Sequence, residues 1–164
     1  MQKVDYLAIA DDIIGKIKTG ALLTVRAGER LNTMTIGWAS IGFCWRKPVF
    51  MVAVRDSRYT FTLIEDAADF TVSVPTGDMK KAVTYCGTRS GRDGDKLAAC
   101  GLATVPGQNV ASPVIAMPGI HFECRIVYKS AMDPAHLADE LASLYPEKDF
   151  HTLYFGEIMA CYQS

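Results

Sequence analysis

Asn32-Thr33-Met34-Thr35-Ile36-Gly37-Trp38-Ala39-Ser40-Ile41-Gly42-Phe43-Cys44-Trp45, then Arg46-Lys47-Pro48 and Val49 to Val54, then Arg55-Asp56-Ser57-Arg58-Tyr59-Thr60, is the stretch on which the chain turns. Its first segment is rich in Thr, Ile, Phe and Trp and has no helical stripe, so it reads as a strand. Gly37, Ala39, Ser40 and Gly42 place small residues where a packed strand would carry Val or Leu. Such positions mark either a bend or bulge, or the close approach of a ligand to the backbone. The last segment brings two arginines and two hydroxyls to a helix start, where free N–H groups and partial positive charge favour an anion. A bare strand face followed by an anion site predicts a flat ligand that carries a phosphate.

Outward from that centre, Tyr6, Leu7, Ile9, Ala10, Ile13, Ile14 and Ile17 recur at helical spacing. They predict an amphipathic helix over 4–18, closed by Gly20. A short β run spans 21–26 and turns at 27–30. Arg46-Lys47-Pro48 ends the opening strand, and the apolar run 49–54 suits a buried one. Asp56 or Ser57 caps a helix over 58–67, and Phe70 to Val74 forms a strand ended by Pro75. A helix over 78–86 leads into the polar loop 87–94 and a helical turn at 95–100, before a weak strand at 102–105. Three prolines and two glycines mark 106–119 as a surface loop. Alternation predicts a long strand over 120–128. Asp133-Pro134 opens a helix with Leu137, Leu141 and Leu144 on one face, and 151–162 reads as the last strand. Strands dominate, with peripheral helices and no β-α-β alternation or glycine-rich first turn. A small antiparallel barrel is therefore expected rather than a dinucleotide-binding α/β fold.

The 164 residues are 49% hydrophobic and 21% charged, which predicts one globular domain over 1–164. The net charge of −1, without blocks of like charge, argues against a nucleic-acid or anionic-membrane surface. Five scattered cysteines, none in a Cys-x-x-Cys pair, give no disulfide framework and fit a reducing cytoplasm. Asp5, Asp11 and Asp12 interrupt the apolar N-terminus, so no signal peptide is expected, and no apolar run approaches membrane-spanning length.

Two cations stand against the helix dipole, Arg58 in an expected first turn and Lys96 just after Asp93 and Asp95. Each alone reads as a surface charge paired with a nearby carboxylate, but together they flank the stripped strand and point to an anion. Gly37, Ala39 and Ser40 would let a flavin-like ring reach the backbone, while Trp38, Trp45 or Tyr59 covers a face. His151, at the start of the last strand, is placed to position an electron donor or supply a proton. Its simpler reading is a hydrogen-bonded structural histidine, and His121 and His136 have weaker claims. Cys44 and Cys86 read as small buried hydrophobes. No His/Cys/carboxylate cluster has metal-ligand spacing and no nucleophile elbow is present, so no metal is expected.

These residues resemble the flavin reductase-like family of FMN-binding split barrels, in particular its flavoredoxin-type branch. The likeness rests on Gly20-Ala-Leu-Leu-Thr24, Asn32 to Trp38, Ile41-Gly42, Trp45-Arg-Lys-Pro48, Val54 to Thr60, and Phe70 to Pro75. It continues through Cys86-Gly-Thr-Arg-Ser90-Gly91-Arg-Asp93-Gly-Asp95-Lys96 and His151-Thr-Leu-Tyr-Phe-Gly156-Glu157-Ile158. The resemblance implies a six-stranded Greek-key barrel and a homodimer with one FMN per subunit near the interface. Asn32, Thr33, Met34, Thr35, Gly37, Trp38, Ala39 and Ser40 would then line the isoalloxazine and ribityl chain. Arg55, Ser57, Arg58, Tyr59 and Thr60 would hold the phosphate region, helped by Ser90, Gly91 and Lys96. Two activities fit the family: NAD(P)H-dependent flavin or ferric reduction, and electron carriage between protein partners without direct NAD(P)H oxidation. The compact 106–119 segment implies a reduced nicotinamide pocket.

Overall fold

The computed structural model describes residues 1–164. Ten strands and four α-helices follow the chain. β1 (Gln2–Lys3), α1 (Tyr6–Ile17), β2 (Ala21–Ala27), β3 (Arg30–Ile36), β4 (Ala39–Cys44), β5 (Lys47–Arg55) and α2 (Tyr59–Ile64) form the first part. β6 (Asp69–Pro75), α3 (Lys80–Thr88), α4 (Lys96–Ala99), β7 (Thr104–Val105), β8 (Val114–Ile115), β9 (Gly119–Ala131) and β10 (His151–Gln163) complete it.

All strands except the small β7–β8 pair join one antiparallel sheet, ordered β3-β2-β6-β9-β10-β5-β4, with β1 added beside β10. The opening stretch is two strands, not one. β3 and β4 are the two ends of the seven-strand path, yet only Gly37 and Trp38 separate them. Laid flat, that path would be about 29 Å wide, because neighbouring strands sit about 4.8 Å apart. Three Cα–Cα steps from Ile36 to Ala39 reach no more than about 11 Å. The sheet must therefore curl until its edges meet, and Gly37-Trp38 crosses the seam. This yields the expected mainly β barrel, closed by the seven strands of that path, with β1 as an eighth strand of the sheet. The interior holds Phe50, Val52, Val54, Phe70, Val72, Phe122, Cys124 and Tyr154, with Ile13 and Ile17 of α1 and Leu63 and Ile64 of α2 closing it.

Local chemistry accounts for the boundaries. Asp5 caps α1 by accepting from the Leu7 N–H, and Asp95 caps α4 by accepting from the Leu97 and Ala98 N–H groups. Gly20 sits at φ 105°, where an added Cβ would lie 2.5 Å from Val83 Cγ1. The expected break at Arg46-Lys47-Pro48 falls one residue earlier: Trp45 (φ 52°) and Arg46 (φ 59°) make a two-residue hairpin turn, and Lys47 and Pro48 already belong to β5. Two non-glycine left-handed residues are costly. The Trp45 ring offsets this by packing 5.5 Å from Tyr128 and 5.8 Å from Phe155.

Two expectations change. The helix foreseen after Asp133 is a pair of 3-10 turns, Pro134–His136 and Asp139–Leu144. Asp133 does cap the first, but Leu141 and Leu144 stay exposed, so no buried face supports an α-helix. The supposed surface loop 106–119 is instead docked on the outer face of β2, β6 and β9, with Ser112, Val114 and Ile115 fully buried. Thr71 donates to Pro113 O (2.6 Å), Asp69 accepts from the Ala111 and Ser112 N–H groups, and Glu123 accepts from Gln108 N, Asn109 N and Asn109 Nδ2. His121 is fully buried there, against Ser73 Oγ (2.9 Å), Met117 O and Ser164 Oγ, which is a structural role.

Candidate functional site

Two adjoining pockets run along the seam and share Met34 and Arg58. The first, with an empty volume of about 460 Å³, is lined by Met34, Thr35, Ile36, Gly37, Trp38, Ala53, Arg55, Arg58 and His151. It lies where β3 has no strand partner on one side, so its backbone polar groups are open to a ligand. The second, about 490 Å³, is lined by Asn32, Met34, Ser57, Arg58, Tyr59, Thr60, Cys86, Arg89, Ser90, Gly91, Arg92 and Lys96. Four cations border it and no carboxylate does. That donor set suits a phosphate dianion.

The residues singled out from sequence are not all placed alike. Gly37 has open space where a Cβ would be, and Trp38 leans on His151 with ring centroids 4.8 Å apart. Thr35 lines the first pocket, but its hydroxyl donates to Val83 O (2.5 Å) and so ties β3 to α3. Thr33 is fully buried on the face of β2 and β3 opposite the barrel core, its hydroxyl accepting from Thr24 Oγ1 and donating to Leu23 O. Ala39 packs toward the core and Ser40 faces outward on the edge strand β4; neither borders the pockets.

Arg58 is the residue before α2 rather than in its first turn, and its guanidinium donates to Gly87 O (3.2 Å). Lys96 is almost entirely buried, and its ammonium donates to Cys86 O and Arg89 O. The two cations flagged by sequence therefore hold the carbonyl end of α3, and Lys96 forms the floor of the cationic pocket. Burial pulls the Lys96 pKa down, opposed by the neighbouring Cys86 thiol. Asn32 Nδ2 donates to Thr60 Oγ1 (2.7 Å), joining β3 to α2. Gly91 lies so close to this pair that a Cβ would come within 2.7 Å of the Tyr59 ring. Only glycine lets the 87–96 loop close over the pocket.

Arg55 and Ser57 have another task. Ser57 donates to Asp149 through both its hydroxyl (2.6 Å) and its N–H (3.3 Å), while Arg55 reaches Asp149 O (2.9 Å) and Leu144 O. These contacts fix the chain just before His151. There Tyr145, unnoticed in the sequence, bonds His151 Nδ1 through its hydroxyl (2.8 Å), which leaves Nε2 for the pocket. Burial, followed by the charge of Arg55, lowers the His151 pKa to about 4. The ring is neutral near pH 7 and holds no spare proton, so it is equipped for hydrogen bonding and stacking rather than as an acid. Arg89 and Arg92 also escaped notice; their signal was three cations within eight residues, from Arg89 to Lys96.

Residues 16–164 match a family model described as "Flavin reductase like domain". An uncharacterised protein of Archaeoglobus fulgidus is 31% identical over 137 residues, covering 84% of this chain and 68% of its own. Flavoredoxin of Desulfovibrio vulgaris shares 27% identity at a TM-score of 0.70, over 88% of this chain and 69% of its own. The flavoredoxin of Methanosarcina acetivorans gives the same identity and TM-score, over 88% and 68%. This chain thus spans about two thirds of each of these proteins. With its seam-closed barrel and the family match over nearly its whole length, the chain belongs to the flavin reductase-like family.

Proposed function

We propose that this protein binds FMN along the seam and works as a single-domain oxidoreductase over 1–164, taking electrons from NAD(P)H and passing them to a small-molecule acceptor such as free flavin or ferric iron. The carrying observation is the seam pocket beside the unpaired edge of β3, adjoining a pocket with four cations and no carboxylate. The residues fit the cofactor in kind. The backbone of Met34 to Gly37 offers polar groups to the ring edge, Trp38 supplies an apolar face, and Arg58, Arg89, Arg92 and Ser90 surround the phosphate position. When bound, FMN would supply the hydride-accepting redox chemistry, and this chain's residues would hold and orient it. His151 Nε2 borders the same pocket and offers a neutral hydrogen-bonding edge to the ring or the donor.

A second reading, an electron carrier exchanging electrons with protein partners, is favoured by the likeness to two flavoredoxins. Anaerobic stopped-flow mixing of FMN-loaded protein separates the two. Bleaching of the oxidised flavin band by NADH or NADPH within seconds is the expected result. Reduction by dithionite but by neither nicotinamide assigns the carrier role, and failure to retain FMN at all removes both readings.

We further propose a homodimer through the outer face of β4, β5, β9 and β10. Exposed Trp45 and Tyr128 support it, with the Tyr128 and Phe155 ring centroids 5.6 Å apart. Ala53, which lines the seam pocket, points to the same face of β5 as Met51, the partner of Phe155. A dimer on this face would hence bring the ring pocket close to the interface. Sedimentation equilibrium should return twice the chain mass, and a monomer at micromolar concentration refutes the assembly. The five free thiols support a reducing, cytoplasmic setting.

A further inference from the structure

Cys86 and Cys100 lie before and after the loop that borders the cationic pocket. Cys86, on α3, is buried and borders that pocket from within. Cys100, at the C-terminal cap of α4, is half-buried and lines an open groove with Tyr85 and Arg89. Cys86 belongs to the small apolar cluster with Leu22, Ile115 and Met117 that α3 and α4 cover, Cys100 packs against that cluster, and the Cys100 thiol is near enough to add to the rise that burial causes in the Cys86 pKa. Lys96 stands between their elements, donating to Cys86 O at 3.0 Å. The remaining cysteines offer no such pair: Cys44 is exposed at the β4 edge, and Cys124 and Cys161 are both buried in the barrel.

We propose that Cys86 and Cys100 form a reversible disulfide, an oxidative modification site that ties α3 to α4 across the base of the 87–96 loop. The oxidant is a hydroperoxide of the hydrogen peroxide type, reaching Cys100 through the open groove. The Cys100 thiol loses its proton and its sulfur attacks one peroxide oxygen. The O–O bond breaks, giving a sulfenic acid and, after proton uptake, water. The Cys86 sulfur then displaces the hydroxyl from Cys100; the S–S bond forms, the S–O bond breaks, and the Cys86 proton leaves with the hydroxyl as a second water. Two thiols give up two electrons and two protons, and the peroxide becomes two waters. Position sets the order. Cys86 is sealed from solvent, and burial pushes its thiol up to about 12, so solution oxidants act first on Cys100. A crosslink here constrains the loop carrying Arg89, Ser90 and Arg92, so oxidation stiffens the cationic pocket.

The test needs no flavin. Purified full-length protein is treated with graded hydrogen peroxide, alkylated, and examined by intact mass and peptide mapping, with its melting temperature followed in parallel. The expected outcome is loss of two hydrogens, one linked peptide pair joining Cys86 to Cys100, a melting temperature higher by about 5 °C, and full reversal by dithiothreitol. Cys100→Ser, at a half-exposed position, should fold and abolish the linkage, and Cys44→Ser should leave it intact. Over-oxidation of Cys100 to a sulfinic acid while Cys86 stays free, or a linkage that persists in Cys100→Ser, overturns the proposal.

Discussion

Replacing Arg58 by Ala should weaken FMN binding by roughly 10- to 150-fold while changing riboflavin affinity by less than about threefold. The range follows from a hydrogen bond to a charged partner, worth about 1.5–3 kcal/mol. Arg58 is the cation common to both pockets, so its guanidinium stands where the phosphate end of a ligand meets the ring end. In the structure it rests on Gly87 O, an ordinary carbonyl that a phosphate would outcompete. Riboflavin carries the same ring and ribityl chain without the phosphate, so comparing the two ligands isolates the charge. Fluorescence titration of both against wild type and variant is the measurement. Equal losses for the two ligands would place Arg58 in the scaffold and remove the phosphate assignment.

The largest stability effect is expected at Glu123. Glu123→Ala should lower the melting temperature by roughly 6–20 °C, corresponding to about 3–5 kcal/mol. Its fully buried carboxylate accepts from Gln108 N (2.8 Å), Asn109 N (2.7 Å) and Asn109 Nδ2 (2.9 Å). Removing it strips Gln108 N and Asn109 N of their acceptor and leaves Asn109 Nδ2 only the Tyr162 hydroxyl (3.2 Å), each unmade bond costing about 1–3 kcal/mol. Glu123→Gln keeps one acceptor oxygen but turns an amide toward Asn109, so calorimetry should place it between wild type and Ala. A drop below about 2 °C for Glu123→Ala would mean that Asp69, Thr71 and Ser73 hold the segment unaided.

That segment shows where a sequence reading stops. Thr71, Ser73, His121 and Glu123 alternate with Val72, Phe122 and Cys124, as they would in a strand with one wet face. Alternation reports which residues avoid the core, but not whether another piece of chain covers them. Here 106–119 does, and the polar row becomes its hydrogen-bonding bed. The helix expected after Asp133 failed for the converse reason. Its leucine stripe was real, but no apolar surface lay opposite to reward it.

The cations were legible as anomalies and less so as individuals. Arg58 and Lys96 were noticed because positive charge is unfavourable at a helix start, and both lie at the cationic pocket. Their own bonds run to the carbonyls of α3, whereas Arg89 and Arg92, on a loop without periodicity, carried no local irregularity to draw attention. Tyr145 was invisible as well, since its bond to His151 depends on Arg55 and Ser57 anchoring Asp149.

The sequence by itself determined the mainly β class, most strand positions, the order of small residues before cations, and the likeness to a flavin-binding family. Each is written in neighbouring residues, through pleat alternation, caps and turn formers. Only the tertiary structure decided that Asn32 to Cys44 is two strands at opposite ends of one sheet. Nothing local distinguishes a bent strand from a crossing between edges, because Gly37 permits either. Closure follows from the pairing of seven strands with a two-residue link, and that closure brings Trp38, Arg58 and His151 to one groove.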